Sequence, residues 1–354
     1  MPTSKNPSPL VGISMGDPLG IGPEVVVKAL AEQELRSGAR FIVFGLSGSM
    51  EAAARAAELA PFWRTVRSGE PMDAPASAGG VTLIDYSDDP ALAAERAGLT
   101  LDAGVAARAT EAGGAASFRF VEDAIAAAQG ALPGVPKLDA IVTAPINKYA
   151  WALAGQSRFA GHTELLSNRF GGPPTRMMFD SPRLRTILVT THIGLAKVSE
   201  AITRQRVRET IEMGAAACRR LGVPSPRIAV CGVNPHASED GLFGDEEARA
   251  ITPAIEDARA AGIDASGPWP GDTIFTAAAK GKYDLVVAMY HDQGLIPVKL
   301  LAFDEAVNVT IGLPTVRTSP DHGTAYDIAG KNLANPGSMR AAISLAIRLA
   351  QSGR

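Results

Sequence analysis

Cysteine, excess basic charge and long apolar runs are all scarce in this sequence of 354 residues. The two cysteines, Cys218 and Cys231, have no CxxC spacing, which argues against a disulfide framework and a zinc ribbon and fits a reducing compartment. A formal charge of −3 without a basic run argues against a nucleic-acid binder that depends on counterion release. The first residues, "MPTSKNPSPL", lack the apolar core of a signal peptide, and no apolar run reaches membrane-spanning length. We therefore expect a soluble cytoplasmic protein that binds neither nucleic acid nor membranes.

Short apolar runs alternate with longer alanine-rich segments, a pattern typical of an α/β protein. The predicted strands are residues 10–14, 40–46, 81–85, 138–145, 184–191, 227–234, 283–290 and 307–312, and predicted helices include 116–132, 203–222 and 338–350. Because these strands are apolar almost throughout, we expect a mostly parallel sheet covered by helices. Residues 59–80 show no periodicity and are predicted to form a loop.

Three of the five histidines stand where parallel strands should end. His192, His236 and His291 each follow a predicted strand directly or within two residues, and ligand sites in α/β sheets lie at such carboxyl ends. Three neutral imidazoles meeting there would form a divalent-metal site with positions open for substrate. Each histidine alone would more often be a hydrogen-bonded structural residue. Asp292 is either an orienting or additional metal ligand or a cap at the strand end.

The remaining polar candidates suit an anion. His162 lies in "GHTELL", where Thr163 is a candidate N-cap and the helix start favours negative charge, with a plain capped helix as the alternative. Lys299 in "IPVKLL" either extends to the surface or faces a ligand. Arg317, in a proline-bounded segment predicted to be a loop, carries a planar guanidinium suited to phosphate or carboxylate. Asn308 lies between them in sequence, and the proximity of all three to the last strand-end histidine indicates one site.

The glycine-rich stretch "GDPLGIGPE" (16–24) has the composition of a phosphate-binding loop but not its spacing. It matches neither GxGxxG nor GxxxxGK[ST], so it predicts neither a Rossmann dinucleotide site nor a P-loop. Glycines before a proline-started helix are compatible with the rim of an active site or with a structural turn.

Seven motifs distributed over about residues 10–350 carry a specific resemblance: "GDPLGIGPE", "VTAPINK", "GHTELL", "TTHIGL", "CGVNPHASE", "AMYHDQGLIPVK" and "VNVTIGLPTVRTSPDHGTA". Together they resemble the 4-hydroxythreonine-4-phosphate dehydrogenase (PdxA) family. The resemblance implies one divalent metal per subunit (Zn, Mg or Co) held by His192, His236 and His291. The substrate contacts that it implies are His162, Thr163, Lys299, Asn308 and Arg317. It further implies a homodimer with the active site at the subunit interface, so that ligands come from both chains.

A second resemblance concerns residues 321–336, "DHGTAYDIAGKNLANP". This segment looks like the adenosine-binding loop of the isocitrate and isopropylmalate dehydrogenases, which bind their cofactor without a Rossmann fingerprint. The cofactor contacts that it implies are Gly323, Thr324, Asp327, Ile328 and Asn335. In that group an Asp-Ile pair accompanies NAD, and a carboxylate would also bind the ribose hydroxyls and repel a 2′-phosphate. We therefore expect NAD rather than NADP.

The two resemblances imply an α/β fold with two α/β/α subdomains of the isopropylmalate dehydrogenase type and a cleft between them. We expect residues 1–140 and 292–354 to form the first subdomain, which contains the cofactor loop. Residues 141–291 would form the second subdomain, with metal ligands, substrate ligands and dimer contacts.

The implied activity is metal- and NAD-dependent oxidative decarboxylation of a phosphorylated 3-hydroxy acid. The first candidate substrate is 4-phosphooxy-L-threonine, which would yield 3-amino-2-oxopropyl phosphate and carbon dioxide on the route to pyridoxal phosphate. Lys299 and Asp292 are the candidate catalytic residues. One alternative is a D-threonate or D-erythronate 4-phosphate dehydrogenase of the same family, which the segment "GLIPVKLLAF" resembles more closely. The other is a non-catalytic metabolite sensor on the same fold.

Overall fold

The computed structural model describes residues 8–72, 77–93, 98–99 and 107–352. The chain forms two compact units. Unit 1 comprises the chain up to Pro173 together with Leu313–Ser352, and unit 2 comprises Pro174–Gly312. The segments before and after Pro174–Gly312 therefore belong to the same unit.

Strands and helices alternate along most of the chain. The strands are β1 (Leu10–Ser14), β2 (Arg40–Gly45), β3 (Trp63–Arg67), β4 (Val81–Asp85), β5 (Ala140–Thr143), β6 (Arg176–Asp180), β7 (Thr186–Leu188), β8 (Ile228–Cys231), β9 (Ala265–Trp269), β10 (Leu285–Ala288), β11 (Val307–Ile311) and β12 (Val316–Pro320). The helices are α1 (Gly22–Ala31), α2 (Gln33–Ser37), α3 (Ser47–Ala56), α4 (Glu111–Gln129), α5 (Lys148–Leu153), α6 (His162–Arg169), α7 (Val198–Ala201), α8 (Arg204–Arg220), α9 (Thr252–Ala260), α10 (Gly271–Ala279), α11 (His291–Ala302) and α12 (Gly337–Ser352). In the described part of the chain, none of the helices is long and apolar enough to cross a membrane.

Unit 1 is built on a parallel sheet with the strand order β3-β4-β2-β1-β5-β12. Helix α4 begins after Thr110, whose Oγ1 accepts a hydrogen bond of 3.0 Å from the backbone N–H of Gly113. Gly114 lets this helix approach α5 closely, because a Cβ atom there would stand 2.0 Å from the carbonyl oxygen of Ala150. This packing fixes α5, which follows β5 and begins at Lys148.

Unit 2 is built on a mixed sheet with the strand order β11-β6-β7-β10-β8-β9. Strand β6 runs antiparallel to both of its neighbours, whereas β7, β10, β8 and β9 are mutually parallel. Side chains of this sheet, including Phe179, Leu188 and Val286, form an apolar core with residues of α10 and α11. Because β10 lies between β7 and β8, the carboxyl ends of these three strands lie at the same edge of the sheet.

The α/β prediction and every strand predicted from the sequence are confirmed. The sequence did not predict β3, β6, β9 and β12. Strand β3, "WRTVR", shows that residues 59–80 are not a loop throughout. It lies at the edge of the sheet, where charged residues are tolerated and the apolar pattern is lost. Strands β9 and β12 contain proline, which also lowers the predicted strand propensity.

The contacts divide the chain later than the predicted boundaries at 140/141 and 291/292. The observed divisions follow Pro173 and Gly312. Strand β5 pairs with β1 and β12, so it belongs to unit 1 together with the α5 and α6 segments that follow it. Helix α11 packs on β7 and β10, and β11 pairs with β6, so both belong to unit 2.

Candidate active site

The ends of β7 and β10 bring two of the predicted metal ligands together. Pairing between the two segments continues beyond the strands, because the backbone N–H and Oγ1 of Thr190 both donate to the carbonyl oxygen of Met289, at 3.1 and 2.7 Å. His192 and His291 each come two residues later. Their ring centroids lie 5.7 Å apart.

His291 is the first residue of helix α11. The helix begins after Tyr290, and Asp292 lies in its first turn, where a carboxylate is favoured by the helix dipole. The Nδ1 atom of His291 is 2.7 Å from Oδ1 of Asp292. A carboxylate on Nδ1 favours the tautomer with its proton on that atom and leaves Nε2 free to bind a metal. Asp292 therefore orients His291.

His236 lies in a loop with an unusual backbone conformation. All five residues of His236–Asp240 are non-glycine and have positive φ angles, between 47° and 75°. The loop is anchored by Glu247, whose Oε1 accepts hydrogen bonds from the backbone N–H groups of Val233 and Asn234, at 2.8 and 2.9 Å. Left-handed non-glycine residues persist only where the surroundings impose them, and they concentrate at functional sites.

Gln293 connects the segments that carry His236 and His291. Its Oε1 accepts a hydrogen bond of 2.7 Å from the backbone N–H of Met289, and its Nε2 donates one of 2.7 Å to the carbonyl oxygen of Gly232. The side chain thus links the end of β10 to the end of β8. This role was not predicted from the sequence, although an amide side chain shortly after a predicted strand was the available signal.

The three histidines do not form a single cluster. Among the described residues, no three His, Cys, Asp or Glu side chains lie close enough together to hold a metal ion. The donors of His192 and His291 nevertheless fit a divalent ion. Imidazole rings 5.7 Å apart can both reach one ion at about 2.1 Å, and the carboxylate on Nδ1 is the usual partner of a metal-binding histidine.

Unit 1 contains a buried cationic group, Arg317. The sequence predicted a loop here, but Arg317 lies on β12 with only 2% of its surface exposed. Its Nη2 donates a hydrogen bond of 2.6 Å to Oγ1 of Thr143 on β5. Burial lowers the pKa of Arg317 to about 10, and Glu164 opposes this shift. The guanidinium therefore stays charged at neutral pH in a region that favours an anionic ligand.

His162 begins helix α6 near this charge. The prediction that Thr163 caps the helix was wrong, because the N-cap position is occupied by Gly161 and Thr163 lies in the first turn. Burial, followed by the charges of Arg317 and Lys148, lowers the pKa of His162 well below its usual value. The imidazole is therefore neutral at pH 7. Its buried Nε2 has no hydrogen-bond partner among the described residues, and a bound ligand would satisfy it.

Lys299 and Asn308 belong to unit 2. Lys299 lies in the last turn of α11, with Nζ 5.8 Å from the ring centroid of Phe303. The helix places its backbone roughly 12 Å along the axis from His291, so the two residues are at opposite ends of α11. Asn308 is on β11, and its Oδ1 is buried without a hydrogen-bond partner in the part of the chain that the structure describes. Asn308 therefore offers an acceptor to a ligand.

Residues 321–336, which we call the cofactor loop, follow β12 in unit 1. Of the predicted cofactor contacts, Thr324 is buried, Ile328 is half-buried, and Gly323, Asp327 and Asn335 are exposed. The Oδ1 atom of Asn335 accepts a hydrogen bond of 2.9 Å from the backbone N–H of Gly337, at the start of α12. The loop therefore presents one face to the interior of unit 1 and another to solvent.

The profile of the family described as "Pyridoxal phosphate biosynthetic protein PdxA" matches residues 39–346. The chain belongs to this family. A D-threonate 4-phosphate dehydrogenase from Cupriavidus necator is 44% identical over 343 residues, which cover 97% of this chain and 97% of that protein. A 4-hydroxythreonine-4-phosphate dehydrogenase from Desulforapulum autotrophicum is 44% identical over 339 residues, covering 96% and 94%. The chain is thus a dehydrogenase of the PdxA family, as the motifs predicted.

The PdxA fold extends over nearly the whole chain. The crystal structure of a 4-hydroxythreonine-4-phosphate dehydrogenase from Klebsiella pneumoniae matches with a TM-score of 0.80 and 40% identity. The match covers 98% of this chain and 100% of that one. The fold of each unit is therefore found in the Klebsiella pneumoniae enzyme as well.

Thr143 is a further residue of the candidate site that the sequence analysis did not single out. It is fully buried at the end of β5, within the motif "VTAPINK", and it contacts Arg317. The available signal was a hydroxyl at the carboxyl end of an otherwise apolar strand, where ligand sites of α/β proteins lie.

Proposed function

We propose that this PdxA-family dehydrogenase catalyses the NAD-dependent oxidative decarboxylation of a phosphorylated 3-hydroxy acid, with 4-phosphooxy-L-threonine as the first candidate substrate. The observation that carries the proposal is the pair formed by His192 and His291, whose rings lie 5.7 Å apart beyond two adjacent parallel strands. Such a pair suits a divalent metal at the place where α/β enzymes bind their ligands. A cytoplasmic location is part of the same proposal.

His192, His236 and His291 would hold the metal. A bound divalent ion supplies Lewis-acid stabilisation of charge on the substrate's oxygen atoms, and NAD accepts the hydride. Asp292 holds the proton of His291 on Nδ1, which keeps Nε2 available as a ligand. We therefore assign Asp292 a role that it exerts through His291, not a direct role as a base.

Arg317 and His162 would bind the substrate's phosphate and its neighbouring oxygen atoms. The charged guanidinium of Arg317 presents several donors to a phosphate, and Oγ1 of Thr143 fixes its orientation. The neutral imidazole of His162 can donate a hydrogen bond from its N–H group to an anion without first being protonated. Thr163, beside His162 in the first turn of α6, would add a hydroxyl.

Asn308 and Lys299 would also contact the substrate. The buried Oδ1 of Asn308 can accept a hydrogen bond from a substrate hydroxyl or amine. Lys299 would deliver a proton from Nζ to the carbon that loses carbon dioxide, because the enolate formed there needs a nearby acid. The atoms then balance: C3 would give its hydride to NAD and the 3-hydroxyl its proton to solvent water as the ketone forms, and a proton from Lys299 would replace the carboxylate lost as carbon dioxide.

The same chain would form a homodimer around this site. Exposed large apolar side chains follow each of the three histidines in sequence: Ile193 and Leu195, then Leu242 and Phe243, then Ile296, Leu300 and Phe303. Apolar surface of this kind is usually covered by a partner. A second copy of the chain would cover it and contribute a histidine to each metal site, which is consistent with the absence of a complete cluster among the described residues of one chain.

D-Threonate or D-erythronate 4-phosphate is the second candidate substrate. Relatives named for D-threonate 4-phosphate are 44–46% identical to this chain, about as similar as the 44–45% of several relatives named for 4-hydroxythreonine 4-phosphate. The candidates differ at C2, which carries an amine in one and a hydroxyl in the other, whereas the reacting hydroxyl, carboxylate and phosphate are shared. A non-catalytic sensor finds no support in these relatives, which are named as dehydrogenases.

The test is to follow NAD reduction at 340 nm with each of the three phosphorylated acids, before and after treatment with a chelator. Chelator-sensitive turnover of the amino acid phosphate is the expected result. Turnover of the sugar-acid phosphates alone would keep the site and change the substrate. No reduction with any of the three would overturn the proposed reaction.

A further inference from the structure

We propose that the motif "GDPLGIGPE" and the helix turn after it form a clamp that holds the cofactor loop in its NAD-binding shape, with Asp17, Glu24 and Lys28 as positioning residues. We call Asp17, Ile21, Glu24 and Lys28 the α1 clamp. The inference rests on the proposed function, since it concerns how NAD would be bound. It gives a role to a motif whose spacing fits neither known type of phosphate loop.

The first contact of the clamp joins Asp17 to Tyr326. The phenol of Tyr326 donates a hydrogen bond of 2.5 Å to Oδ2 of Asp17, which is fully buried. The other carboxylate oxygen of Asp17 accepts a hydrogen bond of 2.9 Å from the backbone N–H of Leu19. The hydrogen bond from Leu19 fixes the position of the Asp17 carboxylate, so Tyr326 donates to an acceptor that is already held in place.

The second contact joins the backbones of the two segments. The N–H of Ile21 donates a hydrogen bond of 2.9 Å to the carbonyl oxygen of Thr324, two residues before Tyr326. Gly20 makes this approach possible, because a Cβ atom there would lie 2.9 Å from the same oxygen. This close approach explains a glycine of the motif that phosphate binding does not explain.

The third contact holds the far end of the cofactor loop. Oε1 of Glu24 accepts hydrogen bonds from the backbone N–H of Ala334 and from Nζ of Lys28, both at 2.7 Å. Nζ of Lys28 also donates to the carbonyl oxygens of Asn332 and Ala334, at 3.1 and 3.0 Å. Glu24 and Lys28 are thus bound to each other and to the loop.

The cofactor loop has both buried and exposed residues. Thr324 and Ala334, whose backbone groups the clamp contacts, are buried, whereas Gly323 and Asp327 are exposed. Two non-glycine residues of the loop, Ala325 and Asn332, have positive φ angles of 40° and 60°. Since this conformation is disfavoured in a free chain, contacts such as those of the clamp are needed to maintain it. The exposed face would then be preformed for the cofactor.

The test compares Tyr326→Phe with Tyr86→Phe. Tyr86 is a matched control, because its hydroxyl also donates to a buried carboxylate in unit 1, Asp123, at 2.7 Å, but lies outside the cofactor loop. Binding of NADH to the chelator-treated proteins is measured by fluorescence without substrate, and KM for NAD is measured on the metal-loaded enzyme. We expect Tyr326→Phe to weaken NADH binding about 2- to 12-fold, the effect of one hydrogen bond, and Tyr86→Phe to leave it unchanged.

Lys28→Met provides a second variant that leaves Asp17 and Tyr326 in place. It should weaken NADH binding in the same direction, with kcat and KM for the phosphorylated acid nearly unchanged. Asp17→Asn should restore most of the binding lost in Asp17→Ala, because an amide oxygen can still accept from the phenol of Tyr326.

Three outcomes would overturn the clamp, and they are distinguishable. If the wild-type chain binds NADH and both Tyr326→Phe and Lys28→Met bind it equally well, the clamp is wrong and the proposed function stands. If the wild-type chain neither binds NADH nor reduces NAD, the proposed function fails and takes the clamp with it. Equal weakening by Tyr86→Phe would show a general loss of stability and would also contradict the clamp.

Discussion

Arg317 and Thr143, on the neighbouring parallel strands β12 and β5, are joined by a hydrogen bond of 2.6 Å inside unit 1. Both side chains are buried, so the direction of the guanidinium is set by the sheet and not by a flexible loop. A donor group whose orientation is fixed before the ligand arrives loses little entropy when it binds. Among the residues proposed to bind the anionic substrate, Arg317 therefore has a side-chain direction that the fold itself fixes.

Replacing Thr143 with valine should therefore impair binding of the phosphorylated substrate. The change keeps the shape of the side chain but removes the hydroxyl that accepts a hydrogen bond from the charged guanidinium of Arg317. Loss of such a hydrogen bond should raise KM for the acid roughly tenfold or more. Thr143→Ser keeps the hydroxyl and should retain most of the wild-type KM. Steady-state kinetics with both substrates provide the measurement, and an equal rise in KM for NAD would contradict this assignment.

Replacing Asp292 with asparagine should weaken metal binding. The carboxylate that favours the proton on Nδ1 of His291 is lost, and such substitutions typically lower metal affinity about 10- to 100-fold. Asp272→Asn is a matched control, because it removes a carboxylate from the first turn of another helix in unit 2. Competition with a fluorescent zinc chelator reports the affinities. Similar affinities in the two variants would show that Asp292 does not act on the metal ligand.

Replacing Leu300 with aspartate should disrupt the proposed homodimer. Leu300 lies on α11 with 80% of its surface exposed, and a charge there would oppose burial in an interface. Leu300→Met, which stays apolar at similar volume, should remain dimeric. Light scattering gives the mass in solution, and atomic absorption gives the metal content. A Leu300→Asp protein that is still dimeric and fully loaded with metal would exclude α11 from the interface.

The stability of the folded chain should fall as the pH drops below the usual histidine value of 6.5, in part because of His162. Burial and the charges of Arg317 and Lys148 depress its folded pKa, so the unfolded chain takes up a proton at a pH where the folded chain does not. The contribution of His162 to the free energy of unfolding is complete above pH 6.5, and it is lost as the pH falls toward the depressed pKa of the folded chain. His162→Asn should show a smaller fall in Tm between pH 7.5 and 5.5. An identical fall in both proteins would mean that His162 does not cause it.

Replacing Asp327 with asparagine should make NADP a better cofactor relative to NAD. A carboxylate near the 2′-phosphate of NADP repels it, and one such charge pair at about 4 Å in water is worth about 1 kcal/mol, or roughly a fivefold change in kcat/KM. The ratio of kcat/KM for the two cofactors is the quantity to compare. A ratio that does not move would place the adenosine ribose elsewhere than at the exposed face of the cofactor loop.

The sequence predicted those parts of the fold in which burial alone decides the residue pattern. Strand β10 was predicted because "LVVA" is apolar throughout, and its neighbours β7 and β8 have the same property. The positions of His192, His236 and His291 beyond these strands followed from the general properties of parallel sheets. Family membership was predicted from the motifs and is confirmed by the comparisons.

The features that the sequence did not predict depend on contacts between distant residues. Strand β12, "VRTSP", is polar, and its burial depends on pairing with β5, more than a hundred residues earlier. Helix α11 contains Pro297, which lowers helix propensity, yet the helix forms where it packs on β7 and β10. The hydrogen bond between Tyr326 and Asp17 joins residues that are 309 positions apart in the sequence, so no local sequence pattern could predict it.

The left-handed segment His236–Asp240 has a consequence for how this protein can change by mutation. Each non-glycine residue in that conformation costs about 1 kcal/mol relative to glycine, so Glu239→Gly, at an exposed position of the segment, should raise the melting temperature. The same glycine would let the loop adopt many more conformations in the folded chain and would make the direction of His236 less definite. Selection for thermal stability alone would therefore favour substitutions here that selection for turnover removes. In laboratory evolution, this loop is where we expect the two pressures to conflict first.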